Sequence, residues 1–178
     1  MFKGKTVQLR SFAKGDAQHI AKVYNLLETR RFLDDPAPLS QEDIEQWIEK
    51  GWEQRKVHQS YIFAIETLKS RQVIGVCGLF AISKINQKAE LMIAIYQKRH
   101  RRQGYGSEAL QLLLQFGFNQ LNLHRIVLFT HDINKAAQHL YERIGFKLGG
   151  RRRQASFFEG AYHDLLLYEM LASEFSIG

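Results

Sequence analysis

The stretch "KRHRRQGYGSEAL", residues 98–110, constrains this chain more than any other. Four cations, Lys98, Arg99, Arg101 and Arg102, run into Gly104 and Gly106 and then into an apolar helical pattern. Three readings compete for it. The plainest is a tight strand-to-helix connection with solvated arginines. A second is a dinucleotide fingerprint, because Gly104, Gly106 and Ala109 satisfy G-x-G-x-x-G/A and Asp132 closes the next strand. Spacing defeats it: residues 96–103 intervene between the strand and Gly104, and Asp132 lies 28 residues beyond Gly104 where about 20 is wanted. The third is a phosphate cradle, in which backbone N–H groups of residues 102–107 face an anion at the positive end of the helix. A helix dipole contributes only about 0.3–1 kcal/mol to holding an exposed anion, so several N–H bonds and arginine forks would have to add to it.

The charge distribution agrees with a local anion. The chain of 178 residues has a net charge of +7 from 25 Lys and Arg against 18 Asp and Glu. Removing Lys98, Arg99, Arg101, Arg102 and Arg151, Arg152 and Arg153 leaves 18 against 18. A nucleic-acid binder more often spreads its cations over a whole face. The acidic counterpart is "DDPAPLSQEDIE", residues 34–45, where Ser40 and Asp43 read as a capping box.

Length predicts one domain over residues 1–178. No run approaches the roughly 18 apolar residues of a membrane span. Residues 1–10 have no signal-like apolar core, and the single cysteine, Cys77, rules out an internal disulfide, so a cytoplasmic protein is expected. Cys77 reads as a small buried thiol on an apolar strand. The histidines show no metal-ligand spacing, and no metal is assigned.

Residues 7–12 alternate as a strand, and residues 16–27 place Ile20, Val23, Tyr24 and Leu27 at helical spacing with Asp16 as N-cap. Pro36 and Pro38 stiffen a connector to a helix over residues 41–56. Residues 61–66, 73–80 and 89–95 read as an antiparallel meander, and 107–120 as a helix in which Gly117 costs about 1 kcal/mol relative to Ala. A strand at 125–130, a helix at 134–144 stopped by Gly145, and two strands at 147–158 and 162–171 joined through Glu159-Gly160 complete the order. Strand, helix, strand across residues 89–130 implies a parallel pair inside an otherwise antiparallel sheet. The expected fold is α/β (α+β): a mixed, mostly antiparallel sheet of about six to seven strands with a central parallel pair, flanked by about four helices.

"RRQGYG" at a helix start after a strand matches the R/Q-x-x-G-x-G/A signature of the GNAT N-acetyltransferase superfamily. "NKAAQHLYERIGF", residues 134–146, resembles that family's Asn-x-x-Ala-x-x-x-Tyr-x-x-x-Gly-Phe helix about 30 residues downstream. "NLHRIVL" and "FFEGAYHDLLLYEML" are similar to the branch of ribosomal-protein N-terminal acetyltransferases and spermidine N-acetyltransferases. The resemblance implies acetyl-CoA as cofactor, its pyrophosphate on Arg101, Arg102, Gln103, Gly104, Tyr105, Gly106 and Ser107. It places the pantetheine arm along Met92, Ile93, Ala94 and Ile95, where that strand splays from the next, with the Ile93 N–H as oxyanion donor. Asn134 would cap its helix and contact the cofactor, and Tyr141, which by itself reads as core on an amphipathic helix, would by the motif be the general acid. Glu90 is the candidate general base, with a surface carboxylate as the other reading.

The implied acceptor is a primary amine, either a protein N-terminus or a small amine such as a polyamine. A polyamine would require the acidic residues 34–45 to line the acceptor cleft. Arg151–Arg153 read as the solvated side of a strand, or as partners for an acidic acceptor or the CoA 3′-phosphate. A non-catalytic RNA- or ribosome-binding module of the same shape is the alternative; without an aromatic-rich RNA motif, nucleic acid is expected only by way of a ribosomal protein. No membrane partner is expected, and the resemblance allows a homodimer.

Overall fold

The computed structural model describes residues 2–30 and 37–176. One eight-stranded sheet runs through them, in the order β1-β2-β3-β4-β5-β6-β8-β7. The strands are β1 (Phe2–Lys3), β2 (Val7–Arg10), β3 (Tyr61–Thr67), β4 (Val73–Ser83), β5 (Lys88–Ile95), β6 (Arg125–His131), β7 (Lys147–Phe158) and β8 (Ala161–Leu171). All neighbours are antiparallel except β5 and β6. The parallel pair stands where strand-helix-strand order requires it, because the helix between must carry the chain back to the same edge.

The eighth strand corrects the expectation of six to seven. Phe2–Lys3 folds back on Leu9 and Gln8, and a strand of two residues is too short for alternation to show.

Five α-helices cover the sheet within the described residues: α1 (Asp16–Tyr24), α2 (Leu27–Arg30), α3 (Gln41–Lys56), α4 (Tyr105–Gln115) and α5 (Lys135–Ile144). The expected helix over residues 16–27 is thus two pieces, and Asp16 is its first helical residue rather than its cap. The Asp16 carboxylate instead accepts from the Ala13 N–H at 2.8 Å and pairs with Arg10 at 2.7 Å. Ser40 and Asp43 form the expected capping box at the start of α3. Asp34, Asp35 and Pro36, the first three residues of the acidic segment 34–45, lie outside the described residues.

Strand alternation divides the core in two. One cluster packs Leu79, Leu91, Ile126, Leu128 and Tyr168 against α4 and α5, through Leu110, Leu113, Leu114 and Tyr141. The other, on the opposite face, gathers Ala64, Val76, Met92 and Ala94 with Ile20 of α1 and Ile44 and Ile48 of α3. Cys77 is fully buried, and that burial pushes its thiol far above the usual range. It is core, as its apolar strand indicated.

Helix α4 does not run regularly to Gln120: Phe116–Gln120 form a π-turn. Gly117 has a packing reason there, since a Cβ would lie 2.7 Å from Ile126 Cδ1 and 3.1 Å from Leu79 Cδ1. Its propensity cost is offset by the close approach of helix to sheet.

Candidate active site

Two features of the backbone meet at one place. The first is the end of the parallel ladder. β5 and β6 pair at Lys88↔Arg125, Ala89↔Ile126 and Glu90↔Val127 and no further. Both strands continue, β5 to Ile95 beside β4 and β6 to His131 beside β8. Beyond Glu90 the strands part, and the edges of residues 91–95 and 128–131 that face each other have no ladder partner.

The second feature is the start of α4. Its N-cap, Gly104, is left-handed with φ of +84°, and Arg102 two residues earlier is also left-handed at +60°. No side chain caps the helix. Among the described residues the amide hydrogens of Gly104, Tyr105, Gly106 and Ser107 have no acceptor, and the first bond of the helix is Glu108 N–H to Gly104 O at 3.0 Å. Such a run of convergent N–H groups is an anion site in waiting. A Cβ on Gly104 would meet nothing within 4 Å, so the space in front of that turn is open. The group that the resemblance implies, a diphosphate on a thioester carrier, fits a site of open space, unpaired donors and flanking cations.

The side chains around the cradle divide in role. Arg101 does not point its guanidinium at the open space: Nε donates to Ile95 O at 3.0 Å and Nη2 to Tyr96 O and Glu28 O, both at 2.8 Å. It therefore ties the end of β5 to the loop, and its backbone N–H is likewise taken, donating to Lys98 O at 3.0 Å. Gln103 donates to Arg99 O. Arg102 is exposed. Tyr105 is half-buried with its ring beside His100, centroids 6.4 Å apart. Ser107 Oγ accepts from Arg143 Nη2 at 3.2 Å.

Asn134 caps α5 as expected, its side chain accepting from the Ala137 N–H at 3.2 Å. Tyr141, about two turns on, is 7% exposed and sits between Phe146 and Tyr168 at centroid distances of 6.0 and 5.9 Å. Burial pushes its phenol up to about 12. It therefore keeps its proton throughout the neutral range.

Alternation on β5 sends Ile93 and Ile95 to the α4–α5 side, with Tyr141, and Met92 and Ala94 to the α1–α3 side. Glu90 shares the face of Met92. Its carboxyl is half-buried, and burial raises it above the ordinary carboxylate range against an opposing pull from Arg152. Glu90 and Tyr141 thus stand on opposite faces of the sheet, and the gap between β5 and β6 connects them.

Arg152 itself reaches over the Phe129 ring, Cζ 4.5 Å from its centroid. Sequence reasoning had only a run of three arginines to go on; strand alternation could have separated the middle one, but not its neighbours across three strands. A cavity of about 440 Å³ lies elsewhere, beside Arg10, Asp16, His19 and Arg71. Its cations are already paired, Arg10 with Asp16 at 2.7 Å and Glu66 at 2.5 Å, Arg71 with Glu66 at 3.1 Å.

A parallel pair that opens beside an uncapped, glycine-led helix start defines a class. The acetyltransferase (GNAT) domain matches residues 6–147, and the chain belongs to that family. It is 27% identical to the spermidine N(1)-acetyltransferase of Vibrio cholerae over 94% of both chains. It is 32% identical to the ribosomal-protein-serine acetyltransferase of Escherichia coli over 63% of both. A crystal structure of the Vibrio cholerae spermidine N-acetyltransferase with CoA and spermine superposes with a TM-score of 0.84 at 27% identity, covering 94% of this chain and 96% of that one. The protein is an acetyltransferase of this family, with the mixed sheet and parallel pair expected of it.

Proposed function

We propose that this protein, a single acetyltransferase domain working in the cytoplasm, moves an acetyl group from acetyl-CoA directly to a primary amine, and that the amine is more often a peptide N-terminus than a polyamine. The observation that carries the reading is the coincidence of the β5–β6 opening with four amide hydrogens at the α4 start that have no acceptor among the described residues.

Acetyl-CoA supplies an acetyl group activated as a thioester. The protein's part is binding and proton handling. The N–H groups of residues 104–107 hold the diphosphate, helped by Arg102, while Arg101 fixes the strand end that the loop hangs from. On the β6 side of β5 the Ile93 N–H is free to bond an extended arm in the opening, while Met92 and Ala94 turn their backbone to β4 and Ile95 O is taken by Arg101; Asn134 contacts the arm from the start of α5. Tyr141 holds its proton and presents it as a hydrogen-bond donor to sulfur. With its phenol near 12 and a thiol near 8.5, full transfer in advance is uphill by several kcal/mol, so the phenol follows charge as it develops. Glu90, raised by burial, is a better proton acceptor than a solvated carboxylate and stands on the other face, where an amine can enter.

The amine must be neutral to react. At pH 7 about one α-amine in ten is neutral, against about one alkylammonium in a few thousand, which favours a peptide N-terminus. The spermidine enzyme of Vibrio cholerae supports the small-amine reading and the ribosomal-protein-serine enzyme the peptide one. A thiol-release assay over N-terminal peptides and polyamines, with CoA binding followed by calorimetry, decides it. CoA binding with acetylated peptide is expected; absence of any CoA binding overturns the proposal.

A further inference from the structure

Three consecutive arginines on β7 are divided by the pleat. Arg151 pairs with Asp164 at 2.9 Å, and the charge of Arg153 acts on the same carboxylate. Arg152, paired in register with Leu165, turns to the opposite face, the one that carries Glu90 and Met92. It has no ion pair among the described residues. Its guanidinium rests over Phe129, 4.5 Å from the ring centroid. Phe129 lies two residues past Val127, the last position where β6 is tied to β5, so this cation stands at the rim of the opening. Its charge acts on Glu90 from a distance, with no ion pair between the two among the described residues. An amine entering on this side meets a carboxylate and, next to it, an unneutralised guanidinium held in place by an aromatic ring.

We infer that Arg152 is a specificity-determining residue that selects acceptor amines carrying a carboxylate a few bonds from the reacting nitrogen and disfavours polycationic ones. The inference rests on the function proposed above and deepens it by naming the substrate class. A guanidinium binds a carboxylate through a charge-assisted fork, whereas a second ammonium on the acceptor is repelled by the same group. The site is open to solvent, so screening limits the effect and makes it weaken with salt.

The test uses the full chain, wild type, Arg152→Gln and Arg152→Lys. Two peptides that differ only in Asp or Asn at the second residue, and spermidine, are bound to the CoA-loaded protein and then assayed for acetylation. Wild type is expected to prefer the Asp peptide about three- to twentyfold. Arg152→Gln should bring the ratio near one and improve spermidine binding, and Arg152→Lys should keep part of the preference. An unchanged ratio in Arg152→Gln overturns the inference. So does an Arg152→Gln defect that falls on CoA and vanishes with 3′-dephospho-CoA, which would assign the cation to the cofactor's phosphate. If CoA does not bind at all, the function proposed above fails by itself; the peptide ratio measured on the free protein still decides the role of Arg152.

Discussion

Tyr141 and Tyr168 lie ring against ring at 5.9 Å, yet only one of their hydroxyls is engaged: Tyr168 donates to Glu142 at 2.8 Å, while Tyr141 makes no hydrogen bond among the described residues. A phenol bonded to a carboxylate is a structural strut. A phenol that packs its ring and leaves its oxygen unengaged keeps a donor for something that arrives later.

Tyr141→Phe should therefore lower turnover by about one to four decades while CoA affinity and melting temperature change little. Tyr168→Phe should do the reverse, costing about 1 kcal/mol of stability with turnover nearly kept. Thiol-release kinetics, calorimetry and thermal unfolding on both variants check the pair. Wild-type turnover in Tyr141→Phe would remove the assignment.

The two glycines of the cradle should respond differently. Gly104→Ala places a Cβ on a residue at φ +84°, costing about 1–2 kcal/mol, and puts a methyl in the space offered to the diphosphate, so CoA binding should weaken at least tenfold. Gly106→Ala meets only ordinary contacts, Ile95 Cγ1 at 3.7 Å and Leu140 Cδ2 at 3.8 Å, in a helix that Ala favours. Calorimetry should find its CoA affinity within about threefold of wild type.

If Glu90 is the base, it must be ionised to act. Its carboxyl is raised by burial, so kcat/KM should fall with decreasing pH at a value above the ordinary carboxylate range of about 4.3. Glu90→Gln should lower the rate and abolish that acidic limb. A limb that survives in the variant assigns it to another group.

Glu108, four residues into the cradle's helix, clamps the N-terminal strand. Its carboxylate accepts from the backbone N–H groups of Lys5, Thr6 and Val7 and from the Thr6 hydroxyl. Burial raises this carboxyl, but the hydrogen bonds together outweigh it and hold it below the ordinary value. A depressed carboxylate contributes stability that is complete above its unfolded value and is lost as pH falls through its folded one. Glu108→Gln should cost about 1–2 kcal/mol at pH 7, and the gap from wild type should narrow below about pH 4. Denaturant unfolding across pH measures both.

Much of the fold was legible because it is written in near neighbours. Ser40 and Asp43 start α3, Asn134 and Gly145 bound α5, and the β5–α4–β6 order forces the parallel pair. The short Phe2–Lys3 strand and the break after Tyr24 were not legible, since two residues show no period and α2 is a single turn. Gly117 looked like a helix defect until Ile126 and Leu79 were seen against it.

The sequence by itself determined the elements, the glycine-led helix start and the family's two motifs, because caps, turns and helical periods act over a few residues. Only the tertiary structure decided that Arg101 braces the end of β5, that Glu90 and Tyr141 stand on opposite faces, and that Arg152 hangs over Phe129 at the rim. Those relations follow from strand register and from where a ladder stops, and register is set by pairing between segments far apart along the chain.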